Sequence, residues 1–160
     1  MKTAFSILLL FATNVFASCE LTPSQQSIVH FSYSYGAPHD FGLTMVAIAM
    51  EESDLGRYRI NLQDPSVSSW GVTVSKAIKK LGWRDTPFNR NRAAQLMLND
   101  IYFSAGLALE TLLWWNDVRD GDWRRVVESY NAGYGSNKEY VSRIIENINT
   151  IKQCKWLEEY

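Results

Sequence analysis

Residues 41–53 constrain the fold more than any other stretch. Leu43, Val46, Ile48, Ala49 and Met50 crowd this segment, and polarity returns only at Glu51-Glu52-Ser53. A helix that is apolar nearly all round has to be buried on every side. The pattern therefore predicts a central helix with other helices packed around it. The rest of the chain supplies them. Thr22-Pro23-Ser24-Gln25 is a capping-box start with Pro at the first helical position, which predicts a helix to about Tyr35, before Gly36. Residues 74–81 read as a short helix stopped at Gly82. Thr86-Pro87 opens another, followed by a long apolar-periodic run over 93–115. Residues 117–121 form a polar turn, and Asp122 caps a helix from Trp123 to about Asn131, with Gly133 and Gly135 breaking the chain. Ser136-Asn137-Lys138-Glu139 reads as a second capping box. Tyr140, Val141, Ile144, Ile145, Ile148 and Ile151 then make a stripe of 3.6-residue period. Residues 55–70 carry turn chemistry in Gly56, Asn61, Asp64-Pro65, Ser66, Ser68 and Ser69. No alternating strand pattern of any length occurs, nor any internal repeat. The expected fold class is mainly α with little or no β.

A chain of 160 residues suggests one domain. A formal net charge of −1 offers no basic field for nucleic acid, and no apolar run approaches the ~20 residues of a membrane span. The N-terminus reads as an export signal: Lys2, then the apolar run Ala4-Phe5-Ser6-Ile7-Leu8-Leu9-Leu10-Phe11-Ala12, then Val15-Phe16-Ala17. Cleavage after Ala17 would make 1–17 a signal peptide and leave 18–160 as an exported, periplasmic or secreted domain. The rival is lipoprotein processing at Cys19, against which stands Phe16, three residues earlier, where a lipobox usually has Leu. Outside the cytosol, Cys19 and Cys154 can oxidise to a disulfide that ties the two ends of the mature chain, worth up to about 5 kcal/mol by the chain-entropy model. Two free buried thiols are the alternative.

His30 and His39 are the only histidines, and no Cys or His stands at metal-ligand spacing. No phosphate loop and no nucleophile elbow is present. The expected site therefore holds no metal and no cofactor. Glu51-Glu52 is the informative acidic pair. A carboxyl at the edge of an apolar helix is partly desolvated, which favours its protonated form. A carboxylic acid that keeps its proton near neutral pH is what a glycosidic oxygen needs as general acid. In Ser129-Tyr130-Asn131-Ala132-Gly133, Tyr and Asn can donate hydrogen bonds into a groove, and Gly133 allows close approach or a positive φ. Six Trp, eight Tyr and seven Phe include candidates for stacking on sugars, among them Trp70, Trp83, Trp114, Trp115 and Trp123, although such aromatic residues more often build a core.

Together these features resemble the lysozyme-like (SLT-type) domain of lytic transglycosylases. In that family a helix ends in Glu-Ser within a string of the type "AIAxxES". Ala47-Ile48-Ala49-Met50-Glu51-Glu52-Ser53 matches it and gives Glu52 the catalytic position. A second family motif, "S..G.MQ", is met by Ser68-Ser69-Trp70-Gly71-Val72-Thr73-Val74, where Val74 replaces the usual Gln. A third, "NI..G..YL..LL", resembles residues 102–113 around Gly106, with Tyr102 in place of Asn and Ala108-Leu109 in place of Tyr-Leu. The fourth, "AYNAG", is similar to Ser129-Tyr130-Asn131-Ala132-Gly133, and a final "YV..V" resembles Tyr140-Val141-Ser142-Arg143-Ile144. The resemblance runs over about 43–151. It also extends to the small exported transglycosylases of secretion and pilus systems and to phage wall-degrading proteins.

The resemblance implies a cell-wall-degrading lyase that cleaves the MurNAc–GlcNAc β-1,4 bond of peptidoglycan without water. Glu52 would act as the single general acid and base and 1,6-anhydroMurNAc would be the product. Ser53, Ser69, Gly71, Thr73, Tyr130 and Asn131 would bind substrate, Tyr130 orienting Glu52 and Asn131 meeting the acetamido region. Glycan strands would be the partner, with a secretion, pilus or phage machinery as a further one, and the protein would be monomeric. The rivals are a goose-type muramidase, a glycosidase whose second carboxylate would be Asp54 or Asp64, and a catalytically degraded wall-binding protein.

Overall fold

A computed structural model describes residues 19–61 and 65–158. The segment expected to be a signal peptide, and Asp64, lie outside the described residues. The fold is mainly helical. Among the described residues seven helices run in chain order: α1 (Pro23–Gly36), α2 (Gly42–Ser53), α3 (Val74–Lys80), α4 (Pro87–Asn99), α5 (Ile101–Val118), α6 (Trp123–Ala132) and α7 (Lys138–Gln153). A 3-10 turn, Ala37–His39, joins α1 to α2.

The apolar segment is central, as its composition requires. In α2, Met45, Val46, Ala47, Ile48 and Ala49 are at most 1% exposed, enclosed by α1 on one side and α7 on another. Polar groups fasten the helix where apolar packing leaves backbone or hydroxyls to satisfy. Asn147 donates its amide to the Ala47 carbonyl, and the Trp123 indole donates to the Thr44 hydroxyl. The α1 start is a complete capping box: Thr22 accepts from the Gln25 amide, and the Gln25 side chain accepts from the Thr22 amide.

Three features depart from the sequence expectation. The run over 93–115 is two helices, bent by 99° between α4 and α5. Asp100 leaves helical geometry at φ −112° and ψ 100°, and its carboxylate caps α5 by accepting from the Phe103 amide. The last helix is capped by Asn137, not Ser136. Asn137 accepts from the Tyr140 amide, whereas the Ser136 hydroxyl donates to Glu128. The turn-rich segment contains a small antiparallel sheet, β1 (Ile60–Asn61), β2 (Ser66–Val67) and β3 (Val72–Thr73), paired in that order with Ile60 opposite Val67 and Val67 opposite Val72.

Cys19 and Cys154 form a disulfide across 135 residues of sequence, with Cα atoms 5.2 Å apart. The same end is held by Trp156, whose indole donates to the Cys19 carbonyl at 2.9 Å. The bond uses the sulfur that a lipid thioether at Cys19 would need. Among the described residues no single helix is long and apolar enough to cross a membrane.

Candidate active site

The last turn of α2 lifts the chain out of the core and onto a strained loop. Asp54 (φ 50°) and Leu55 (φ 54°) are both left-handed and neither is glycine, a conformation that costs roughly 1–2 kcal/mol per residue. The surroundings over-determine it. Leu55 is buried, and its amide donates to the Ala49 carbonyl at 2.9 Å. Ser53, 2% exposed, donates its hydroxyl to the carbonyls of Ala49 and Ser69 and accepts from the Gly56 amide. The Gln25 side chain donates to the Asp54 carbonyl from α1. Backbone strain held in this way beside a half-buried acid is characteristic of functional sites.

That acid is Glu52. The hairpin between β2 and β3 folds over it, and two hydroxyls hold the hairpin. Ser53 reaches the Ser69 carbonyl at 2.8 Å, and Tyr130 donates to the Trp70 carbonyl at 2.7 Å. Gly71 then lies directly against the Glu52 carboxylate. A Cβ at Gly71 would meet Oε2 at 2.2 Å and Cδ at 2.7 Å, and the residue has φ +61°. Glycine is needed here on both counts. From α7, the Tyr140 hydroxyl donates to Glu52 Oε1 at 2.8 Å.

The hydroxyl that orients Glu52 is thus Tyr140's, while Tyr130 steadies the loop beside it. Both phenols are pushed well above the ordinary tyrosine range, first by burial and then by the negative charge of Glu52. They stay protonated, and so remain donors, through neutral and mildly alkaline pH. Sequence reading placed Tyr140 in the apolar stripe of α7. The signal for its role was a hydroxyl at the start of that stripe, one turn from the helix N-terminus.

A cavity of about 680 Å³ opens between α3, α5 and the end of α6. Thr73, Tyr130 and Asn131 line it, with Trp114 and Trp115 along α5 and Lys76, Lys79 and Lys80 along α3. Glu52 is not on its wall. The carboxylate lies next to it, linked through Gly71, two residues before Thr73, and through Tyr130. Asn131 is exposed, and its side-chain oxygen accepts from Asn137 at 2.7 Å. Ser53 and Ser69 are buried behind the loop and reach neither the cavity nor open solvent. Of the five candidate tryptophans, Trp70 is fully buried, Trp83 stacks under Arg92 and Trp123 bonds to Thr44. Trp114, half exposed, and Trp115 line the cavity. Glu51 points elsewhere and pairs with Arg143. The Asp54 carboxylate pairs with Arg57 and accepts from Gln25. The lysine row on α3 escaped sequence reading, because a run such as KAIKK is indistinguishable from an ordinary solvated face.

No protein-family model matches the chain, and no solved structure matches it. An "Uncharacterized 20.7 kDa protein in vs-regB intergenic region" of Enterobacteria phage T4 is 32% identical over 126 residues, covering 73% of this chain and 66% of its own length. The chain thus spans just under two thirds of that relative.

Proposed function

We propose that the chain is a peptidoglycan lytic transglycosylase of lysozyme-like fold, with Glu52 as its single general acid and base. One observation carries the reading: a carboxylate at the end of a buried helix, held by the Tyr140 hydroxyl and packed against Gly71, beside a cavity lined by Tyr130 and Asn131. Glu52, Gly71, Tyr130 and Asn131 are among the residues that the family resemblance names, and Tyr140, which bonds Glu52 across 88 positions of sequence, adds to them.

In this reading Glu52 gives its proton to the glycosidic oxygen, and the C1–O bond breaks as the MurNAc acetamido carbonyl supports C1. The resulting Glu52 carboxylate accepts a hydrogen bond from Tyr140, which favours that charged half of the cycle. Glu52 then takes the proton of O6, and O6 closes on C1 to give the 1,6-anhydro sugar. No water is consumed, so no second carboxylate is required. The commitment of Asp54 to Arg57 and Gln25 agrees with a single working acid. The disulfide supports export to an oxidising compartment, and the phage relative favours a phage setting among those the resemblance allows.

A wall-binding protein without activity is the second reading. Val74, where the family has Gln, is 5% exposed and brings no polar group to the site. Zymography on purified peptidoglycan separates the two. A cleared band from the wild-type chain, absent for Glu52→Gln, is expected; wild type that binds the wall but clears nothing would overturn the enzymatic reading.

A further inference from the structure

The cavity beside Glu52 has an uneven charge that a neutral sugar does not call for. Lys76, Lys79 and Lys80 fall at i, i+3 and i+4 on α3, so all three share one face, while Val74, Ala77 and Ile78 bury the other. Three ammonium groups and one carboxylate, Glu110, therefore line the cavity, in a chain whose formal net charge is −1. Lys80 is neutralised by Glu110. Lys76 donates to the Thr111 hydroxyl at 3.3 Å, and its ammonium sits 5.6 Å from the centre of the Tyr130 ring. Among the described residues no carboxylate pairs with Lys76 or Lys79.

Lys76 is exposed at the cavity mouth with its ammonium beside the Tyr130 ring, and partial burial of that group lowers its pKa from the ordinary lysine value. Lys76 and Lys79 are like charges one helical turn apart, which disfavours both, and a ligand that brings an anion relieves it. Trp114, half exposed on the neighbouring wall, offers apolar surface, so the ligand needs apolar surface as well as negative charge.

We infer that the α3 lysines read the carboxylates of the peptide stem on a glycan strand lying in this cavity, so that the site takes stem-bearing strands in preference to stripped ones. The inference rests on the glycan-cleaving reading above and names the substrate form. A stem carries its own carboxylates at several points along an extended peptide. A stripped strand offers only the lactyl carboxylate, fixed at the sugar ring. Lys76 and Lys79 stand three residues apart, about 4.5 Å along the helix axis. That spread suits several carboxylates better than one.

The test measures binding by tryptophan fluorescence with Glu52→Gln protein, so that strands stay intact. Three probes are compared: soluble stem-bearing strands, the same strands stripped by an amidase, and chito-oligosaccharides, which carry no carboxylate. The stem-bearing strands should bind roughly tenfold tighter than the stripped ones, the scale of two partly exposed charge pairs. The difference should shrink as salt rises. Lys76→Met/Lys79→Met should abolish the preference while leaving the chito-oligosaccharide affinity unchanged. Lys79→Met alone, at an exposed position, should lower it in part without any packing change. Equal binding of stem-bearing and stripped strands would overturn the inference. So would a double variant that loses all three ligands alike. Wild-type turnover measured in parallel separates the two readings. Cleavage without stem preference overturns the inference alone, whereas stem-dependent binding without cleavage overturns the transglycosylase reading alone.

Discussion

Gly71→Ala probes the contact on which the site is built. Two costs are expected. An alanine at φ +61° pays left-handed strain of roughly 1–2 kcal/mol. Its Cβ would also stand 2.2 Å from Glu52 Oε2, so the carboxylate must move and leave the Tyr140 hydroxyl. Loss of a hydrogen bond to a charged acceptor is worth about 1.5–3 kcal/mol. The sum is a destabilisation of roughly 2.5–5 kcal/mol. Displacing a catalytic group by an ångström costs on the order of 100-fold in rate. Gly82→Ala is the control. It has φ +64° and nothing within 4 Å of the new Cβ, so it should show the backbone cost alone and full activity. Urea unfolding of both variants gives the stability difference at a common m-value, and release of soluble muropeptides gives the rate. Equal behaviour of the two variants in either assay would refute the argument, since both positions have a similar positive φ and Gly71 alone lies against Glu52.

Further outcomes follow from the same geometry. Tyr140→Phe should lower kcat by about 10-fold to 100-fold with little change in KM, because it removes one charge-assisted donor to Glu52 and no cavity wall; steady-state kinetics on stem-bearing strands checks it, and a change confined to KM would contradict it. The contribution of Tyr130 and Tyr140 to stability should be flat below pH 10 and fall above it. The folded pKa values of Tyr130 and Tyr140 are raised, so the unfolded chain loses these protons first and the folded form is penalised as pH rises. Each phenol adds about 1.4 kcal/mol per pH unit between its unfolded and folded pKa, and Tyr140→Phe should remove its share of the slope in alkaline urea titrations. Reducing the Cys19–Cys154 bond should cost up to about 5 kcal/mol for a loop of this length, read as a lower unfolding midpoint for Cys154→Ser.

The helices were legible where local chemistry decides them. Thr22 and Gln25 cap each other within four residues, and the apolar wheel of α2 leaves it no place but the centre. Where neighbours decide, the sequence misleads. Apolar periodicity runs through both α4 and α5, so the bend at Asp100 shows only once its carboxylate is seen to cap the second helix. Ser136 and Asn137 are both good caps, and the choice falls to Asn137 because Glu128, eight residues earlier, takes the serine hydroxyl. Strands of two residues are too short for alternation to register. Glu52 was singled out as a candidate by the Glu-Ser resemblance, because an acid at the end of an apolar helix is by itself usually solvated. Its partner was less legible, because Tyr140 sits in an aliphatic stripe and its hydroxyl finds Glu52 only through the packing of α7 on α2.

The central claim, Glu52 as the single acid and base of a water-free cleavage, is tested most directly by the mass spectrum of the muropeptides that wild type and Glu52→Gln release from purified peptidoglycan. The account predicts anhydro-muropeptides, one water lighter than hydrolysis products, from wild type, and no products from the isosteric variant, which should unfold at the wild-type midpoint. Reducing-end products from wild type, or undiminished release by Glu52→Gln, would contradict it.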